Sequence, residues 1–170
     1  MVLVLSAFFS AGCASLLVSV NDQIPAAEGI KLAAGADISI LPVTLKEGIE
    51  NEVTGTGYTA DAFKEAVRNE LAKELSSKGI KAVTAASAET NSITLQVTRL
   101  EKGIGFFRWF PLFGLGDSYL TVNATLVTAE GKREIIAEKN GQIQGMSQMS
   151  DQTKANIEYV ATALASALSK

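Results

Sequence analysis

The side chains that could do chemistry in this sequence are few in kind. The chain has 170 residues, with 18 aspartates and glutamates, one cysteine and no histidine. Without histidine there is no Ser-His or Cys-His nucleophile, no imidazole metal ligand and no group that naturally titrates near neutral pH. A single cysteine rules out an internal disulfide and a thiolate cluster. The carboxylates offer no pair marked out as acid and base. Asp61, Glu65, Glu70 and Glu74 lie among lysines in a helical pattern, which reads as a solvated face. Glu134 and Glu138 alternate outward from a strand pattern, and Asp117 beside Ser118 could accept backbone N–H groups. The glycine pairs Gly103/Gly105 and Gly114/Gly116 lack the third glycine and the Lys-Ser/Thr of a phosphate loop, so no nucleotide is expected. A net charge of −3 with no basic stretch argues against nucleic acid, and the isolated lysines and arginines read as solvated surface. No metal and no cofactor are expected, and the chain reads as a non-enzyme.

The one residue in a context that implies covalent modification is Cys13. Met1 to Phe9 is an apolar run of signal-peptide length, and no charged side chain precedes Asp22. Ser10-Ala11-Gly12-Cys13 follows. Small residues directly before a cysteine resemble the lipobox of bacterial lipoproteins, which implies cleavage before Cys13 and acylation of its thiol. Ser10 departs from the Leu or Val usual at that position. The missing basic n-region points to a start upstream of Met1. Each buried acyl CH₂ contributes about 0.8 kcal/mol, so a multiply acylated cysteine, palmitate-like in its chains, anchors stably. Ala14 rather than Asp after the cysteine implies, by the same resemblance, sorting to the periplasmic face of the outer membrane. Two other readings stay open: an uncut anchor, since residues 1–20 just reach the roughly 20 apolar residues a span needs, and a plain cleaved signal. The expected organisation is a signal peptide over 1–12, lipidated Cys13 and a tether over 13–36, and one domain over 37–170.

The elements that would carry any surface chemistry follow from hydrophobic period. An alternative reading of part of the tether is a first strand around Leu16–Val20. Asp37–Thr44 reads as a strand ending near Pro42, and residues 46–58, with Gly48, Gly55 and Gly57, as a loop. Thr59 caps a helix whose Phe63, Ala66, Val67, Leu71 and Leu75 share one face, with Lys64, Arg68, Lys73 and Glu74 in solvent and Gly79 as the stop. Ile80–Ala85 is a short strand. Ile93, Leu95 and Val97 alternate with Thr94, Gln96 and Thr98, and Leu120, Val122, Ala124 and Leu126 alternate with Thr121, Asn123, Thr125 and Val127. A turn at Ala129–Lys132 leads into a third strand, Arg133–Gln144, completing a meander. Ser150 caps a last helix with Ile157, Val160, Ala161, Leu164 and Leu168 inward. The fold class expected is α/β of the α+β kind: a mixed sheet of about five strands with two helices on one face, in the order β-α-β-β-β-β-α.

One connection is unusual. Residues 103–116 hold four of the seven phenylalanines and the only tryptophan, with Arg108 their only charge. Loops are usually polar, so Phe106, Phe107, Arg108, Trp109, Phe110, Leu112 and Phe113 need a covering partner. Three readings are open: packing over the sheet, a protein-docking patch rich in Trp, Phe and Arg, and contact with a membrane interface.

The strand Ile38–Val43, the helix Ala62–Leu75 ending at Gly79, the strand Ile93–Leu100, Arg108-Trp109, the run Gly114–Val122 and the closing helix together resemble a family of small bacterial lipoproteins known as domain-of-unknown-function family 4410. The resemblance covers roughly residues 37–168. It implies kinship with the TolB N-terminal domain and the curli secretion lipoprotein CsgG, a mixed sheet backed by helices, and a role in envelope assembly or protein contact. No catalytic residues carry over. The expected function is a non-enzymatic envelope lipoprotein that binds an envelope protein. The alternatives are a subunit of an oligomeric outer-membrane secretion or pore assembly, and a cell-wall or lipid enzyme.

Overall fold

The structure, a computed structural model, describes residues 17–22, 30–87, 91–101, 118–141 and 149–170. Cys13 and the aromatic segment Phe106–Phe113 lie outside the described residues. The elements in chain order are β1 (Leu17–Asp22), β2 (Asp37–Ile40), β3 (Thr44–Leu45), α1 (Ile49–Thr54), α2 (Ala60–Ser77), β4 (Lys81–Thr84), β5 (Ser92–Glu101), β6 (Ser118–Thr128), β7 (Gly131–Gly141) and α3 (Met149–Leu168). They build one mixed sheet in the order β1-β7-β6-β5-β2-β4, with β3 also paired to β5. The strands β5, β6 and β7 form the expected antiparallel meander. β2 runs parallel to both β4 and β5.

The mixed α+β class stands, with seven strands rather than about five and three helices rather than two among the described residues. Each addition has a local cause. The strand expected over Asp37–Thr44 divides into β2 and β3, both against β5. Five residues from Ile40 through Thr44 face four from Ile93 through Gln96, because Pro42 has no N–H to give the ladder. The loop expected over 46–58 contains α1. Gly48 enters it with φ 87°, and Ile49 and Val53, four apart, are both buried. Within the stretch read as a tether, Leu17–Asp22 pairs antiparallel with β7 along six positions, and Leu32 is buried and hydrogen-bonded to Leu168 and Lys170. By this pairing β1 satisfies backbone groups that would otherwise line an open edge of β7.

The core is the layer between the sheet and α2 and α3. Ile93, Leu95, Val97 and Leu100 from β5 meet Leu120, Val122, Ala124 and Leu126 from β6 in register. Thr98 is an extra residue between Val97 and Arg99 that returns Leu100 to the core side. Phe63, Val67, Leu71 and Leu75 of α2 and Ile157, Val160, Ala161, Leu164 and Leu168 of α3 close over them, as their spacing predicts. Thr59 caps α2, its Oγ1 accepting from the Ala62 N–H at 3.2 Å. Gly79 ends α2's turn at φ 78°.

Two sequence expectations about charge are corrected. Arg68 does not point to solvent. Its Nε and Nη2 donate to the Ile40 carbonyl at 3.1 and 2.7 Å, and Nη2 also donates to Ala85. It thereby ties the carboxyl ends of β2 and β4 to α2. Isolated cations, expected to be surface residues, are also found inside: Arg133 and Lys139 are 4% and 1% exposed on the core side of β7. The strand alternation that buries Ile135 and Ala137 takes these two with it.

Candidate contact surface

The other face of the meander carries side chains that hydrogen-bond rather than pack. Register sets three cross-strand rows: Thr94, Thr125 and Glu134; Gln96, Asn123 and Ile136; Arg99, Thr121 and Glu138. Thr44 of β3 lies beside Gln96. The first two rows and Thr44 line an open depression of about 340 Å³. Thr94 and Gln96 are exposed, and Asn123, Thr125, Glu134 and Ile136 are half-buried. The alternation that sends Ile93, Leu95 and Val97 to the core sends Thr94 and Gln96 here.

The charges on this face are paired at its margins. Glu138 accepts from the Thr121 hydroxyl at 3.0 Å, and Glu134 pairs with Lys132. Arg99 donates to Glu101 at 2.7 Å and lies 4.0 Å from the centroid of the Tyr119 ring. The hydrogen bond to Glu101 raises the Arg99 pKa, although partial burial opposes it. Between these margins the surface is uncharged amide and hydroxyl around one apolar side chain, Ile136. Such a surface can hydrogen-bond a partner; among the described residues it brings no acid, base and nucleophile together. No cluster of three or more potential metal-ligating side chains occurs among the described residues.

On the core side, Arg133 Nη1 donates to the carbonyls of Ile30 at 3.2 Å and Ala167 at 2.8 Å. The second bond places a cation in the last turn of α3, where the helix dipole favours it. Lys139 Nζ sits 4.7 Å from the centroid of the Tyr159 ring. Burial pushes its pKa down. Asn156 of α3 donates to Ser118 Oγ at 3.0 Å, both side chains buried. Sequence reasoning missed these contacts. The available signal was a positive charge at each end of an inward-alternating run, Arg133-x-Ile135-x-Ala137-x-Lys139.

Of the sequence-nominated residues, Glu134 and Glu138 do face outward, at separate ends of the polar surface. Ser118 starts β6 and is held by Asn156. Cys13, Phe106, Phe107, Arg108, Trp109, Phe110, Leu112, Phe113 and Asp117 lie outside the described residues.

Residues 36–167 match the family described as Domain of unknown function (DUF4410). The chain belongs to that family. A search of curated proteins gave no match. Among solved structures, this DUF4410 member is similar to a point variant of PelC from Paraburkholderia phytofirmans, a dodecamer. That likeness has a TM-score of 0.58 at 14% identity, covering 91% of this chain and 99% of the other. A second similar structure is an uncharacterised protein, with a TM-score of 0.53 at 16% identity, covering 82% of this chain and 95% of that one. At such identities the likeness is one of fold. No helix among the described residues is long and apolar enough to cross a membrane.

Proposed function

We propose that this chain is a non-enzymatic lipoprotein of the bacterial cell envelope, held by acyl chains on Cys13 at the periplasmic face of the outer membrane, and that it works by binding an envelope protein through the open face of its meander. The observation that carries the reading is the one-sided build of the sheet. Both long helices cover one face, while the other presents Thr94, Gln96, Asn123 and Thr125 around Ile136. Uncharged amides and hydroxyls lose little on desolvation when a partner's groups replace water. The Ser10–Cys13 sequence supports the location in this reading.

Two measurements test it. The mass of the membrane-extracted product, beside a Cys13→Ser variant, should show cleavage before Cys13 and added acyl mass in the wild type alone. A photo-crosslinking residue in place of Gln96 should then give a discrete adduct in cells, and one in place of the exposed Ser76 on α2 should not. Equal labelling from both positions would sink the open-face assignment.

A second reading is self-assembly, favoured by the likeness to a PelC dodecamer over 91% of the chain. Under that reading the Gln96 adduct has the mass of two copies, and the detergent-extracted protein sizes as a ring-like oligomer.

A further inference from the structure

Two strands end the sheet, β1 and β4. The register of β4 fixes which of its backbone groups are used. The Lys81 N–H donates to the Ala36 carbonyl at 2.8 Å, and the Ala85 N–H to the Ile40 carbonyl at 3.1 Å. Alternate residues of a strand turn their backbone groups to opposite neighbours. Lys81, Val83 and Ala85 therefore face β2, and Ala82 and Thr84 face the open edge. The Ala82 N–H donates back to the Ile80 carbonyl at 3.0 Å. Among the described residues, the Ala82 carbonyl and both backbone groups of Thr84 have no backbone partner. Between them stands Val83, paired with Ser39 and so on the outer face, away from buried Ile38 and Ile40. Val83 is 57% exposed, more than any other large apolar side chain among the described residues.

We propose that β4 pairs antiparallel with β4 of a second copy of this chain, about a two-fold axis that passes through the sheet at Val83. A two-fold contact needs a surface complementary to itself, and this edge is one. With the axis at Val83, Ala82 of each copy lies opposite Thr84 of the other. Each Thr84 N–H then meets an Ala82 carbonyl, and each Thr84 carbonyl faces an Ala82 N–H. The two Val83 residues form a non-hydrogen-bonded pair with Cα atoms about 4.5 Å apart, where side chains approach closest. Each valine covers the apolar surface of the other. Charge does not oppose the pairing. Lys81 falls opposite Ala85, and the two Lys81 positions lie roughly 14 Å apart along the strands. That exceeds the screening length of about 8 Å, and Asp37 lies 3.9 Å from the ammonium of its own copy. Shortness and a lysine usually protect an edge; here the lysine is neutralised and stands clear of the axis. The contact uses about five residues a side against 20–30 in a standard interface, so the dimer is weak, with a Kd in the micromolar range. α2 packs over β4 on the core side. The axis keeps both copies' helices on one side of the joined sheet and leaves both open faces free. The pairing thus goes beyond the open-face contact and requires neither that contact nor the anchor.

The test is disulfide formation in the full-length chain carrying Cys13→Ser, where an added cysteine is the only thiol. Three variants are compared under mild oxidation: Val83→Cys, Thr84→Cys and, at an exposed position on another strand, Val127→Cys. A Cα separation near 4.5 Å lies within the range a disulfide spans, so Val83→Cys should form the linked dimer at least about ten-fold faster than Val127→Cys. It should also outpace Thr84→Cys. Adding Thr84→Pro to Val83→Cys should bring the rate down to that of Val127→Cys. The proline removes an N–H that faces the open edge, a position where an edge strand tolerates it. Circular dichroism and Tm of that variant should therefore match those of its parent. A Val83→Cys rate no higher than the Val127→Cys rate overturns the pairing, and so does an unchanged rate in folded Thr84→Pro protein. Faster linkage through Thr84→Cys overturns the axis at Val83. Crosslinking from Gln96 reports the open-face contact separately, so either reading can fail without the other.

Discussion

Replacing Arg133 by methionine tests the contribution of one of the two cations that β7 buries on its core side. The side chain is 4% exposed and donates to the Ile30 and Ala167 carbonyls. A hydrogen bond from a charged donor contributes about 1.5–3 kcal/mol. The Ala167 carbonyl also belongs to the last turn of α3, where a cation gains about a further 0.3–1 kcal/mol. Methionine keeps most of the stem's volume and removes the desolvated charge, which offsets part of the loss. The expected net destabilisation is about 3 kcal/mol, or roughly 6–12 °C in Tm for a domain of this size. The assay is urea and thermal unfolding by circular dichroism on a Cys13→Ser background, with Lys132→Met, at an exposed position, as control. The loss also has a location. Arg133 holds the Ile30 carbonyl two residues before Leu32, whose N–H bonds the Leu168 carbonyl at 2.7 Å. Amide exchange at Leu32 and Lys170 should therefore accelerate before exchange in β6. A destabilisation under about 1 kcal/mol, or unchanged exchange at Leu32, would refute the argument that Arg133 locks the carboxyl end of α3 to the strand layer.

Lys139 makes a pH-dependent prediction. Burial lowers its folded pKa, so the unfolded chain binds its proton more tightly. Between the lowered folded pKa and the ordinary value of about 10.4, the unfolded state holds more protons and stability rises with pH. The penalty for burying the charge is fully present below that window. Wild-type stability relative to Lys139→Met should thus climb from pH 7 to pH 10 in urea titrations. A difference that is flat or falls would show that the ammonium is not desolvated. Thr59→Ala removes the acceptor for the Ala62 N–H and should lower stability by about 1 kcal/mol with an unchanged urea m-value. A loss within error of zero would mean that water replaces the cap.

The sequence by itself determined the elements whose pattern is local. Phe63, Val67, Leu71 and Leu75 at helical spacing behind Thr59, and the strict alternation in β5 and β6, leave little choice of period or face. The class, the meander and the polar character of its outer face follow from those runs. What the tertiary structure alone decided are the non-local partnerships. A two-residue β3 and a six-residue α1 are too short to announce themselves, and exist because β5 and α2 supply the rest of their contacts. β1 becomes a strand by pairing with β7, more than a hundred residues along the chain. Arg68, Arg133 and Lys139 look like surface cations in sequence. They are drawn inside because backbone carbonyls at 2.7–3.2 Å and a tyrosine ring await them there.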